Sequence, residues 1–223
     1  MAKVASVTEA VAQIEDGMTI MVGGFGLVGA PLSLIDGLIT SGRKDLTIIS
    51  NNLGEPGKGL GKLLLNGQVR RAIGSYFTSN PDVVRAWQEG RLEVTLLPQG
   101  TFAEAIRAGG AGIPAFFTPT GAETELADGK ETRRFDGRAC VLERALKADV
   151  ALIRAKRADH LGNLAYHGTA RNFNPVMATA ANTVVAEVDE IVATDDLDPE
   201  AIATPHLYVD LLVTAREEEH ARV

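Results

Sequence analysis

Residues 19–42 place a strand, a glycine-rich loop and a helix in direct succession, and this order restricts what the chain can fold into. The run TIMVGG is apolar throughout and predicts a buried strand. The loop GFGLVGA leads to Pro31, and the helical pattern LSLIDGLITSG ends at Gly42. Proline is favoured in the first turn of a helix and glycine just beyond its end. We therefore expect the helix to begin near Pro31, after the glycines.

Short apolar runs continue to alternate with helical patterns along the chain, which predicts an α/β fold with an open, largely parallel sheet flanked by helices. The first helix is expected in VTEAVAQIEDG, with Thr8 as N-cap and Gly17 as the stop. Further strands are expected in DLTIISNN, VRRAIGSY, LEVTLLPQG, ADVALIRAKRAD, VAEVDEIV and LYVDLLV.

The segment 116–146 departs from this alternation. It carries Asp-Gly pairs at 128–129 and 136–137, which are typical of tight turns and predict a β-hairpin excursion. No internal repeat, low-complexity segment or linker is visible, so one domain is expected over residues 1–223, with a charged tail from about residue 215.

Composition excludes several classes of protein. The chain has 223 residues and a net charge of −7, which argues against a nucleic-acid partner. No apolar run reaches the roughly 20 residues of a membrane span, so no membrane partner is expected. The polar N-terminus does not resemble a secretion signal, and the single Cys140 fits a reducing, cytoplasmic location. The four histidines lack metal-ligand spacing, so no metal site is expected.

The loop itself allows more than one interpretation. Gly24, Gly26 and Gly29 spell G-x-G-x-x-G, the pattern of a dinucleotide-binding turn. That turn requires a helix beginning within the glycines and an acidic residue ending the next strand. Here Pro31 delays the helix, and the strand LTII runs into Ser-Asn-Asn. A ligand loop with exposed N–H groups for an oxyanion or phosphate, or a tight turn without ligand, remains open.

A longer match is more specific. Residues 16–31, DGMTIMVGGFGLVGAP, carry Asp-Gly, three apolar residues, Gly-Gly-Phe, a further Gly and the final Pro at the spacing of a family signature. The chain resembles the A subunits of the family I CoA-transferases, of the 3-oxoacid, acetoacetate and 3-oxoadipate types. The likeness continues in family order through PQGTFAEAIRAGGAGIPAFFTPTG, VLERALKADVALIRA and LGNLAYHGTARNFNP.

The resemblance implies the CoA-transferase fold and an enzyme that moves CoA from an acyl-CoA donor, such as succinyl-CoA, to a carboxylic acid. CoA thioesters are then substrates, and no cofactor is implied. A carboxylate nucleophile is needed, and the family places this glutamate in the B subunit. We therefore expect no catalytic residue in this chain, a CoA-transferase B subunit as its partner, and an assembly of two A and two B chains. Nothing in the sequence marks any of the candidate glutamates of this chain as activated: Glu55, Glu123, Glu125, Glu131 and Glu143.

The resemblance also implies site residues. The CoA-binding loop would comprise Gly23, Gly24, Phe25, Gly26, Leu27, Val28 and Gly29. Gln99, expected at a strand's carboxyl end, would hydrogen-bond a substrate carboxylate or the glutamate. Asn51 and Asn52 would line the same crevice, although asparagine at a strand end also forms turns. In ARNFNP, Asn174 is expected to cap a helix that Pro175 opens.

Two other functions compete with the transferase. The same fold could hold CoA or a phosphate ligand without turnover, or a related sheet could serve a sugar-phosphate isomerase. The isomerase is disfavoured because no acid–base pair is evident. Glu123 and His206 stand where the family commonly has glycine, so the sequence does not identify the acyl group.

Overall fold

The computed structural model describes residues 2–216. Within that range the strands are β1 Lys3–Val4, β2 Thr19–Val22, β3 Leu46–Ile49, β4 Val69–Gly74, β5 Glu93–Leu96, β6 Ala115–Thr118, β7 Thr132–Phe135, β8 Arg138–Arg144, β9 Ala148–Asp159, β10 Leu164–Ala165, β11 Ala181–Val192 and β12 Leu211–Thr214. The α-helices are α1 Val7–Val11, α2 Leu32–Ser41, α3 Leu60–Leu65, α4 Pro81–Gln88, α5 Gln99–Gly110 and α6 Asn174–Ala178.

The main sheet has the order β1-β12-β11-β9-β2-β3-β4-β5, and every neighbouring pair in this order is parallel. The short β10 adds to β9 in the antiparallel sense. The predicted open, largely parallel sheet is thus confirmed. From β2 the chain winds outward to β5, and it later returns to the other side of β2 as β9. The winding direction therefore reverses between β2 and β9, and the carboxyl ends of such strands form the crevice where α/β sheets bind ligands.

Two apolar layers cover the sheet, because its central strands bury both faces. Ile20 faces a cluster built with α1 to α4, including the fully buried Leu34 and Leu63. Met21 faces a second cluster with α5 and α6, in which the rings of Phe102 and Phe173 meet edge to face at 5.2 Å. Each fully buried side chain of this size contributes about 1.5–3 kcal/mol. The uninterrupted apolar runs of the sequence follow from this double coverage.

The predicted excursion is a separate three-stranded antiparallel sheet in the order β6-β8-β7. Asp136 and Gly137 have φ of +48° and +76°, as a two-residue hairpin turn between β7 and β8 requires. The Asp-Gly pair at 136–137 therefore forms the expected turn, and β6 adds a third strand that the turn signals did not indicate.

Several local predictions were wrong. Ser6, not Thr8, caps α1: its hydroxyl accepts from the Glu9 N–H at 3.2 Å, and the Glu9 carboxylate accepts from the Ser6 N–H at 2.9 Å. This capping box satisfies two N–H groups at once, which Thr8 could not do. The helix ends at Val11, well before Gly17. In LYVDLLV a 3₁₀ turn over His206–Tyr208 precedes a strand that begins only at Leu211.

The expected charged tail falls largely on residues 217–223, outside the described residues. Among residues 2–216, no helix combines the length and apolar character needed to traverse a bilayer.

Candidate functional site

The glycine loop, residues 23–29, leaves β2 at the point where the winding reverses. Phe25 and Val28 exchange backbone hydrogen bonds of 3.0 and 3.2 Å, so Gly26 and Leu27 form a tight turn between them. Gly24, Gly26 and Gly29 have φ of +123°, +65° and +69°, a region that other residues rarely adopt. The helix α2 begins at Leu32, after the glycines, as predicted. The loop is therefore a preformed turn ahead of the helix rather than a dinucleotide-binding helix start.

The loop is packed from behind and open in front. A Cβ on Gly23 would lie 1.8 Å from Asn174 Oδ1, and one on Gly29 would lie 2.4 Å from the Ala170 carbonyl oxygen. A Cβ on Gly26 would meet nothing within 4 Å. Phe25 is 55% exposed beside it. The glycines thus have two roles. Gly23 and Gly29 let residues 170–174 pack closely against the back of the loop, and Gly26 leaves its front face unobstructed.

Two asparagines from the ARNFNP segment hold the back of the glycine loop. Asn172 Oδ1 accepts from the Gly24 N–H at 3.1 Å, and its Nδ2 donates to the Val28 carbonyl at 3.0 Å. The fully buried Asn174 donates to the Gly29 carbonyl at 3.0 Å. Its predicted role as helix cap was wrong, since Phe173 occupies that position in α6. A structural role for this segment was expected, and its form is docking against the glycine loop.

A second loop of the same build, residues 53–59, follows the neighbouring strand β3. Glu55 and Lys58 exchange backbone hydrogen bonds of 3.3 and 3.0 Å, as Phe25 and Val28 do. Gly54 and Gly59 have positive φ, and α3 begins at once after the loop. This likeness was not predicted, although the five-residue spacing of Gly54 and Gly59 repeats that of Gly24 and Gly29.

Asn52 joins the two loops. Its Oδ1 accepts from the Gly26 N–H at 3.0 Å, and its Nδ2 donates to the Gly54 carbonyl at 3.1 Å. The loops also touch directly, because a Cβ on Gly59 would lie 3.0 Å from Leu27 Cδ2. Asn52 is 5% exposed, so its carboxamide is committed to these bonds. Asn52 therefore fixes the position of the two loops relative to each other.

A polar cluster of Asn51, Ser75 and Gln99 lies at the same edge of the sheet. Gln99 Nε2 donates to Asn51 Oδ1 at 2.8 Å, and Ser75 Oγ donates to the same oxygen at 3.1 Å. Ser75 Oγ also contacts Gln99 Oε1. Gln99 is the first residue of α5, three residues beyond the end of β5, and is exposed. The structure therefore brings Asn51 and Gln99 together as predicted and adds Ser75, which no sequence pattern indicated.

The expectation of exposed loop N–H groups is largely not met. The N–H groups of Gly23, Gly24, Phe25, Gly26 and Val28 all donate to protein acceptors. What the loop presents outward is the bare backbone at Gly26 and the side chains of Phe25 and Val28, which are 55% and 42% exposed. Such a surface suits apolar contact with a ligand better than capture of an anion.

A buried charge network lies beside the loop on β9 and β11. Arg154 forms ion pairs with Glu187 and Asp189, and Lys156 reaches Asp189 at 2.8 Å. Glu187 Oε2 also accepts from the Leu34 N–H at 3.0 Å, in the first turn of α2. A carboxylate there is favoured by the helix dipole and by the unpaired N–H groups of the turn. The network ties the central strands to the helix that follows the glycine loop.

The candidate glutamates differ in burial and in their partners. Glu143 is buried and paired with Lys130 at 2.8 Å, and Glu131 is paired with Arg133 at 2.7 Å. Glu123 and Glu125 are exposed in the connection between β6 and β7.

The remaining candidate, Glu55, lies in the second loop, 3.4 Å from Lys58 and beside the glycine loop. His206, the other departure from the family pattern, is exposed, and its backbone N–H donates to Asn163 Oδ1 at 2.9 Å. In the described part of the chain, no three His, Cys, Asp or Glu side chains are grouped to hold a metal ion.

Several known proteins are similar to this chain in sequence. The A subunit of a succinyl-CoA:3-ketoacid coenzyme A transferase from Xanthomonas campestris is 54% identical over 200 residues, covering 90% of this chain and 83% of the relative. The A subunit of a 3-oxoadipate CoA-transferase from Pseudomonas putida is 51% identical, covering 93% and 91%. The alpha subunit of an acetate CoA-transferase from Escherichia coli is 46% identical, covering 97% and 99%.

Solved structures share the fold. Glutaconate coenzyme A-transferase from Acidaminococcus fermentans superimposes with a TM-score of 0.85 at 21% identity, covering 98% of this chain and 77% of that chain. The decarboxylase AibA/AibB superimposes with a TM-score of 0.80 at 30% identity, covering 96% and 83%. The sequence profile of the Coenzyme A transferase family matches residues 4–215. This match includes the glycine loop and all of the main sheet except Lys3, and the chain belongs to the coenzyme A transferase family.

Proposed function

We propose that this chain is the A subunit of a two-subunit CoA-transferase. With the B subunit it moves CoA from an acyl-CoA donor, such as succinyl-CoA, to a 3-oxoacid or short carboxylic acid. The observation that carries this is the glycine loop, a rigid turn with an apolar front at the carboxyl edge of the sheet, beside the polar cluster. The three sequence relatives from Xanthomonas campestris, Pseudomonas putida and Escherichia coli, each an A or alpha subunit of a CoA-transferase, support the same conclusion.

The proposed chemistry begins with a glutamate carboxylate of the B subunit. It attacks the thioester carbonyl, the C–S bond breaks, and an acyl–glutamyl anhydride and CoA thiolate result. The thiolate attacks the glutamyl carbonyl, which releases the acyl group as a carboxylate and leaves a glutamyl-CoA thioester. The acceptor acid then reverses these steps. Each addition passes through a tetrahedral oxyanion, which preorganised N–H donors stabilise.

In this scheme the chain binds and orients rather than attacks. Phe25, Val28 and the bare backbone at Gly26 contact the CoA thioester, while Gln99 donates its carboxamide N–H to an acyl or glutamyl oxygen. Asn51 holds that carboxamide at 2.8 Å, which supports a fixed donor direction. Asn52 acts through the loop, since its own groups are bonded to Gly26 and Gly54.

The proposal also covers the assembly, the absence of a cofactor and the location of the enzyme. Two A and two B chains form the assembly, and no cofactor or metal takes part because the CoA thioester supplies the activated group. A cytoplasmic location is supported by the single cysteine, Cys140, a buried free thiol.

The test is reconstitution with the B subunit from the same organism. We expect no transfer from this chain alone, and transfer on mixing, across a panel of acids that includes acetoacetate, 3-oxoadipate and acetate. Mass spectrometry of the complex after incubation with acyl-CoA should find the CoA adduct on the B subunit. Glu55→Gln serves as the control within this chain, and its complex should keep transfer. A CoA adduct on this chain, or binding of acyl-CoA without turnover by the complex, would contradict the proposal.

A further inference from the structure

We infer that Asn172 is a positioning residue for the reaction: its carboxamide sets the shape of the glycine loop against which the thioester binds. This inference rests on the proposed function. Asn172 is far from the loop in sequence, at a separation of 148 from Gly24. Its position behind the loop follows from the return of the chain beside β2 as β9 and α6.

The carboxamide bridges the two ends of the loop's turn. Its Oδ1 accepts from the Gly24 N–H at 3.1 Å, before the turn, and its Nδ2 donates to the Val28 carbonyl at 3.0 Å, after it. Between these points Phe25 and Val28 are joined by their own pair of hydrogen bonds. These bonds fix the spacing of Phe25 and Val28, and the two bonds of Asn172 fix the direction in which their exposed side chains point from the sheet.

A glycine-rich segment needs such external bonds. Four of the seven loop residues are glycines, which have the largest conformational freedom to lose. The backbone bonds at Phe25 and Val28 fix the turn itself but not how it sits on the sheet. Asn172 supplies that constraint from the opposite side to Asn52, which accepts from the Gly26 N–H at 3.0 Å.

The chemistry of the side chain is specific to an amide. One atom must accept from an N–H while its neighbour donates to a carbonyl, and among acyclic side chains of this length asparagine alone offers both. An aspartate would keep the bond from Gly24 but would place a second acceptor against the Val28 carbonyl. Alanine would lose both bonds to the loop, together with the bonds that the carboxamide makes within its own segment.

Asn172 is also a position where function and folding can be separated. It is half-buried, whereas Asn174 is fully buried and bonds to the backbone N–H of Arg154 on β9 at 2.9 Å. Removing the Asn174 carboxamide therefore damages the core. Removing that of Asn172 frees the loop and also loses bonds within residues 169–173, to the Thr169 and Ala170 carbonyls and from the Phe173 N–H, but it breaks no bond to a strand of the sheet.

The experiment compares Asn172→Ala and Asn172→Asp with Asn66→Ala in the reconstituted complex with the B subunit. Asn66 is the matched control because its Nδ2 donates to Gln68 Oε1 at 2.8 Å, away from the loop. For Asn172→Ala we expect kcat/KM for acyl-CoA to fall about ten- to a hundredfold, the order of loss that small misplacements of binding groups cause. Asn172→Asp should also be impaired, and Asn66→Ala should match the wild type.

Hydrogen exchange of the same proteins gives a readout that does not depend on turnover. Peptides covering residues 22–31 should exchange faster in Asn172→Ala, while those of α2 should not change. Unaltered exchange in the loop, or an unaltered kcat/KM per assembled complex, would overturn the inference. If the wild-type complex transfers no CoA, the proposed function fails, and the exchange measurement still decides whether Asn172 holds the loop.

Discussion

Gly23→Ala tests whether the glycine loop depends on close packing rather than on backbone freedom. Gly23 lies outside the positive-φ region, so alanine fits its backbone. The added Cβ would nevertheless lie 1.8 Å from Asn174 Oδ1 and would displace that carboxamide. Gly26→Ala is the matched comparison, since its φ is +65° and no atom lies within 4 Å of the added Cβ.

The structure sets the size of the two effects. The Asn174 carboxamide makes three hydrogen bonds with backbone groups, from the Arg154 N–H at 2.9 Å and to the Gly29 and Ala170 carbonyls at 3.0 and 2.9 Å. At about 1 kcal/mol each, their loss costs about 3 kcal/mol, and more if a buried partner stays unpaired. Gly26→Ala costs only the free energy of placing alanine in a left-handed backbone conformation, about 1–2 kcal/mol.

Thermal unfolding of the purified variants measures the difference. At about 2–4 °C per kcal/mol for a chain of this size, Gly23→Ala should lower Tm by about 6–12 °C, and Gly26→Ala should lower it by about one third to two thirds of that amount. The double variant Gly23→Ala/Asn174→Ala should be no less stable than Asn174→Ala, because the clash then has no partner. Additive losses in the double variant, or equal losses for Gly23→Ala and Gly26→Ala, would refute the reasoning.

Two further predictions concern buried charges. Burial raises the pKa of Asp159, but hydrogen bonds from Asn163, Gly162 and Leu161 outweigh this effect and hold that pKa below its usual value. The ionised carboxylate therefore stabilises the fold above about pH 4, and this stabilisation is lost as the pH falls. Asp159→Asn should cost about 1.5–3 kcal/mol at pH 7 and flatten the acid limb of a Tm–pH profile; an unchanged limb would contradict this. Arg154→Met should cost about 3–5 kcal/mol because it removes the buried cation that pairs with both Glu187 and Asp189. Arg157→Met, on the same strand with an exposed partner at 3.1 Å, should cost less than about 1 kcal/mol. Urea titration of both variants measures the difference, and equal losses would contradict the prediction.

The features predicted from the sequence were those set by local chemistry. Pro31 and the glycines before it fixed where α2 begins, and the apolar runs identified the central strands. Asn51 and Gln99 could be expected at one place because the carboxyl ends of parallel strands share an edge. The capping box of α1 was missed, since Thr8 was predicted as the N-cap, although the sequence carries its signal in Ser6 and Glu9 three positions apart.

The remaining features depend on contacts between distant parts of the chain. β1 and β10 have two residues each, too few for a periodic signal, and exist only through pairing with β12 and β9. The ion pairs of Arg154 and the docking of Asn172 join residues far apart in sequence, and no local pattern marks either. Ser75 gave no signal because a serine after a strand is ordinary.

The seating of the glycine loop on the segment around Asn172 also sets an order of events during synthesis. The loop leaves the ribosome early, whereas the asparagines that hold it are made much later, with a separation of 148 between Gly24 and Asn172. Contacts of such long range form late, because a large closure entropy precedes them. The nascent chain therefore carries residues 16–31 long before it carries Asn172 and Asn174, and the glycine loop gains these hydrogen bonds only after residue 174 has been synthesised.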